Sequence, residues 1–220
     1  MKLWKKIVLL VLAVLALAAG SLTVWQWNNI QVVCLFLTQD SETIAQNLEQ
    51  KREAHQKEIQ KIAPVTVAPP SVQQNNDLLS GIADPEQVKE ELGIKEQMDK
   101  AGSESTAEEL INSCVAELYG CKVDIMAQLA VLKKAALDEW NGLPEEERTG
   151  AKKRSIGLAG LEACYDLEVA ADNRAEQILD SYRVRLKEIN ADTSALDSLW
   201  KLYCEEKASE KAYYLDKYMR

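Results

Sequence analysis

Five cysteines and a single histidine are the residues of this chain best suited to chemistry: Cys34, Cys114, Cys121, Cys164, Cys204 and His55. No two cysteines have the Cys-x-x-Cys spacing of a zinc knuckle or a redox motif. Cys114 and Cys121 stand a heptad apart, which puts both on one helix face and suits a core. If the chain turns back near residue 145 and again near residue 192, Cys204 comes level with Cys114 and Cys164 with Cys121, each within about one helical turn. The spacing therefore predicts two disulfides, Cys114–Cys204 and Cys121–Cys164, beside the alternative that all four are small core hydrophobes. Cys34 sits next to the apolar amino-terminal segment, as an inert thiol or a link between two copies.

His55 lies in the run Lys51-Arg52-Glu53-Ala54-His55-Gln56-Lys57-Glu58, whose neighbours all favour water, and reads as a surface histidine. Any Ser-His-Asp or Cys-His arrangement would need this one residue, outside the main helical region. Histidine-rich metal sites fail on count. Carboxylates are abundant, yet the densest run, Glu145-Glu146-Glu147, follows Pro144 at a helix start, where acids complement the helix dipole. Gly157 and Gly160 fall inside a helical stripe and form no phosphate loop. No catalytic residue, cofactor or metal ligand is expected, and the chain does not read as an enzyme. The carboxyl end has a surplus of aromatics, Trp200, Tyr203, Tyr213, Tyr214 and Tyr218, among Lys207, Lys211 and Lys217. These form a candidate contact edge for a protein or glycan, or an end-cap. Two adjacent tyrosines cannot both face one core, so Tyr213 or Tyr214 should be partly exposed.

The elements that must position these groups begin with an anchor. Lys2, Lys5 and Lys6 precede the uncharged run 7–25, IVLLVLAVLALAAGSLTVW, and no charge follows until Asp40. Nineteen such residues span a hydrocarbon layer of about 30 Å as one helix. The basic start orients it with the amino terminus cytoplasmic and the bulk outside the cell membrane. Trp25 and Trp27 mark the interface and favour a retained signal-anchor over residues 1–29. The competing reading cleaves after Ala16-Leu17-Ala18 and releases the chain. Without its three amino-terminal lysines the chain sets 23 basic residues against 35 acidic ones, a balance of −12. Nucleic acid and anionic lipid headgroups are poor partners for such a surface.

Residues 30–62 read as a juxtamembrane stalk helix with a thin stripe of Ile44, Leu48, Ile59 and Ile62, a candidate for self-association. Pro64, Pro69 and Pro70, followed by Gln and Asn, predict a semi-extended linker over 63–84. Asp84-Pro85-Glu86-Gln87 caps a short helix, about 85–100, within the segment 85–103. Ser105-Thr106-Ala107-Glu108 opens the main domain, 104–220, as a capping box. Ile111, Cys114, Leu118, Cys121, Ile125, Leu129, Leu132, Ala136 and Trp140 recur at steps of three and four, which is a helix period. Gly120 weakens that helix by about 1 kcal/mol relative to alanine. A second helix, about 150–190, carries Leu161, Cys164, Leu167, Ala171, Ala175, Ile178, Tyr182, Leu186 and Ile189, and a third covers about 194–218. Short connections make neighbours antiparallel. The expected fold class is all-α: transmembrane helix, stalk helix, Pro-rich linker and an antiparallel three-helix coiled-coil-like bundle.

The stretches LPEEERTGAKKRSIG at 143–157, ADTSALDSLW at 191–200 and EKASEKAYYLDKYM at 206–219 resemble a loose set of uncharacterised, membrane-anchored helical proteins of Gram-positive bacteria. That resemblance implies an amino-terminal anchor and a helical extracytoplasmic domain, with no activity, ligand or catalytic residue. The four bundle cysteines depart from what the group requires. The expectation is a scaffold or protein-interaction module, with a protein partner or self-association. The alternative is a cell-wall enzyme or carbohydrate binder that uses bundle carboxylates and the carboxyl-terminal tyrosines.

Overall fold

The computed structural model describes residues 41–62, 64–100 and 105–219. The expected anchor, 1–29, and the first part of the expected stalk, 30–40, lie outside the described residues. Among the described residues every regular element is helical: α1 (Ser41–Ile62), α2 (Val72–Leu79), α3 (Pro85–Glu91), α4 (Ile94–Asp99), α5 (Ala107–Gly142), α6 (Gly150–Glu188) and α7 (Ser194–Met219). None of these helices is long and apolar enough to cross a membrane. The chain divides into two compact units, one of residues 56–200 and the other containing the described residues 41–55 and 201–219.

The first unit is a helical bundle built on the pair α5 and α6, 36 and 39 residues long, or roughly 55 Å each by the rise per residue. They are antiparallel. Glu139 meets Lys152 near the turn, and Glu117 meets Tyr182 at the far end. The α5 cap is a capping box displaced by one residue from the sequence expectation. Thr106 Oγ1 accepts from the Glu109 amide at 3.2 Å, and Glu109 Oε2 accepts from the Thr106 amide at 2.7 Å. Arg148 closes the turn by donating to the carbonyls of Asn141 and Leu143, at 2.7 and 3.0 Å, which a helix end leaves without intrahelical partners. Thr149 then caps α6, accepting from the Lys152 amide.

The expected linker, 63–84, contains a folded helix instead. Ser71 and Gln74 form a capping box for α2, and Val67, Pro70, Leu78 and Leu79 are buried. Burial of an aliphatic side chain contributes about 1.5–3 kcal/mol, enough to fix a segment that prolines alone would leave extended. The expected helix 85–100 is broken into α3 and α4 at Gly93, whose φ of 68° lies in the left-handed region open to glycine. All three short helices pack on α5. Gly120 lies beside one of these contacts: a Cβ there would meet Ile94 Cγ2 at an ordinary 3.4 Å, and Ile94 is wholly buried. The unbroken buried run Leu110–Ala116 follows, because this end of α5 is surrounded, while beyond Met126 it is at most half-buried.

The expected third bundle helix exists as α7, but its residues divide. Leu196 and Leu199 are buried in the first unit, where Arg183 of α6 pairs with Asp197 at 2.8 Å. From residue 201 onward α7 belongs to the second unit, where it runs antiparallel to α1: Lys51 meets Ser209, Arg52 meets Glu206 and Glu210, and His55 meets Glu205. Residues 41–55 therefore pack within the chain and are no free-standing stalk. Leu48, part of the stripe expected for self-association, is buried.

Candidate functional site

On α6 the residues turned toward α5 are Ile156, Ala163, Leu167 and Ala171, all buried or half-buried, at steps of seven, four and four. A second apolar stripe runs two positions out of step. It comprises Leu158, Leu161, Tyr165 and Val169, with 67, 56, 52 and 41% of their surface exposed. Two positions are about 200° of helix rotation, so this stripe occupies the face of α6 opposite to α5. Leu161 was expected in the core; the pairing with α5 turned it outward instead. Ile189, also expected in the core, is exposed just past the end of α6. The outer half of the α5–α6 hairpin thus presents large apolar side chains to solvent, including Val131 and Leu137 of α5.

Nearer the bundle, an open groove of about 570 Å³ is lined by Glu117 of α5 and by Asn173, Arg174, Gln177 and Ser181 of α6. Burial pushes the Tyr182 phenol upward, and the charge of Glu117, to which it hydrogen-bonds, adds to the effect. Lys89 of α3 bridges Glu86, at 2.9 Å, to Asp124 of α5, at 2.5 Å, and Lys95 of α4 joins Glu86 at 2.7 Å. Hydrogen bonds from Lys95 and Lys89 hold the Glu86 carboxyl down at about 2. These pairs clamp the short helices to one another and to α5. Among the described residues no group of three or more His, Cys, Asp or Glu is placed to hold a metal ion.

Neither expected bridge, Cys114–Cys204 or Cys121–Cys164, forms. Cys114, Cys121 and Cys164 are free thiols, the first two buried. Burial raises all three above the ordinary thiol range, so they behave as small hydrophobes of the hairpin. Cys204 is half-buried on α7 in the other unit.

The second unit holds a charge cluster that sequence reasoning missed. His55, expected at the surface, is 8% exposed, with Nε2 3.3 Å from Glu205 Oε2. Arg52 is 6% exposed and pairs with Glu210 and, at 3.9 Å, with Glu206. Burial works against the charge on Arg52, but the charge and hydrogen bond of Glu210 outweigh it and raise its pKa. The signal was present in the spacing Leu48, Arg52, His55, Ile59, which is one helix face on which only the ends are apolar. Of the expected contact edge, Trp200 is half-buried in the first unit, while Tyr203, Tyr213 and Tyr214 are half-buried in the second. The Tyr213 and Tyr214 rings meet edge-on at 5.0 Å, and Lys207 and Lys217 lie over Tyr203 and Tyr213. The side chain of Tyr218 lies outside the described residues.

No protein-family model matches this chain, and neither the curated proteins nor the solved structures contain a similar one.

Proposed function

We propose that this chain is a single-pass, membrane-anchored extracytoplasmic protein that acts as a scaffold or protein-interaction module. The observation that carries the reading is the outer face of the hairpin, where Leu158, Leu161, Tyr165 and Val169 form a continuous apolar stripe in solvent. A face of this kind serves association between helices and needs no catalytic cluster. The location rests on residues 7–25, an uncharged run long enough to span a bilayer behind three lysines.

Two measurements test this. A photo-crosslinker placed at Leu161 or Tyr165 in intact cells is expected to give a discrete protein adduct, and one placed at Glu146 in the turn is not. No adduct at either hairpin position overturns the interaction reading. The membrane fraction is expected to hold the chain at its full 24.6 kDa. Loss of about 2 kDa, the mass of a cleaved signal, overturns the anchor.

A further inference from the structure

We infer that the outer face of α6 between Leu158 and Glu176 is a docking site for a basic amphipathic helix of another protein. This deepens the interaction-module reading and rests on it. The stripe Leu158, Leu161, Tyr165, Val169 advances by three, four and four residues and covers about 16 Å of helix axis. That is the spacing with which one helix receives the apolar knobs of another. Tyr165 stands at the middle of the stripe and supplies an aromatic anchor with a polar tip.

Charge decides what kind of helix fits. Between 158 and 176 the chain carries Glu162, Asp166, Glu168, Asp172 and Glu176. Glu162, Asp166 and Glu176 among them are exposed, and by helix rotation stand within about a quarter turn of the stripe. The single cation in that stretch, Arg174, is turned away, into the groove with Glu117. A partner helix with Lys or Arg beside a leucine-type stripe would complement these three carboxylates. A second copy of the same face would set Glu162 and Asp166 against acids of its own kind, which costs affinity. An anionic membrane surface is repelled for the same reason.

The full chain, held in phosphatidylcholine nanodiscs, is titrated with a labelled 18-residue peptide of leucine and lysine in amphipathic helical order, using empty nanodiscs as the blank. Saturable binding is expected, weakened at least tenfold by the double variant Leu161→Ser, Tyr165→Ser and by Glu162→Lys, Asp166→Lys. All four sites are exposed, so far-UV circular dichroism should be unchanged in both variants. A sequence-scrambled peptide of the same composition should bind at least tenfold more weakly. The inference is overturned if the variants bind as the parent does, or if the scrambled peptide binds equally well. It is also overturned if the chain sediments as a dimer that Leu161→Ser, Tyr165→Ser dissolves, because a second copy then covers the face. A chain that ignores the peptide yet crosslinks in cells through Leu161 keeps the module reading and loses the basic partner.

Discussion

Replacing Leu78 by alanine asks directly whether residues 72–79 belong to the folded core. Leu78 retains 1% of its surface exposed, on a helix capped by Ser71 and packed on α5. Leucine to alanine removes three carbon groups, worth about 2.4 kcal/mol at about 0.8 kcal/mol each. The residual cavity brings the expected loss to about 3 kcal/mol. For a chain of this size that lowers the melting temperature by roughly 6–12 °C. The control is Ile82→Ala, four residues away and 78% exposed, where the loss should stay within about 0.5 kcal/mol. The assay is urea and thermal unfolding of the full chain, followed by far-UV circular dichroism, which reports chiefly on α5 and α6. Equal effects of the two substitutions, or a loss below about 1 kcal/mol at Leu78, would refute the packing and restore the proline-rich linker.

Gly120→Ala is expected to be neutral or stabilising by up to about 1 kcal/mol, because its Cβ would meet Ile94 at an ordinary 3.4 Å and alanine favours the helix. Gly120→Leu should cost about 1–3 kcal/mol by displacing Ile94, and both are read by the same melts. The Glu86 carboxyl should titrate at about 2 by carbon-detected NMR and move upward in Lys95→Met. Since its folded pKa lies below the ordinary 4.5, its contribution is present above that value and lost as pH falls through about 2. Arg52→Ala should destabilise the second unit by about 3 kcal/mol, because Glu206 and Glu210 then face each other half-buried, and Arg52→Lys should recover part of the loss. Alkylation of the native chain should label half-buried Cys164 well before Cys114, and a Cys121–Cys164 linked peptide would contradict the free thiols.

Local signals were legible where they were complete in themselves. Asp84-Pro85 does cap α3, with Asp84 Oδ1 accepting from the amides of Glu86 and Gln87. The α5 cap was read one residue early because Ser105 and Thr106 are both competent caps, and only the helical path selects Thr106. Ser71-x-x-Gln74 was an equally good capping box, but the surrounding Pro, Gln and Asn masked it. The cysteines and Leu161 went astray for a different reason. A helix period tells which residues share a face and leaves open which neighbour that face meets.

The chain's composition and periodicity alone determined that most of the described residues form helices, where the three longest of them begin and end, and that the chain is acidic. These are local properties, set by spacing, caps and charge within a few residues. Tertiary structure decided the rest. It docked 64–99 on α5, buried Arg52 and His55 against the acids of α7, left Cys114, Cys121 and Cys164 unbridged and turned Leu158, Leu161, Tyr165 and Val169 to solvent. Each outcome depends on pairing between segments distant in sequence, 158 residues apart for Arg52 and Glu210, and burial is a property of the pair.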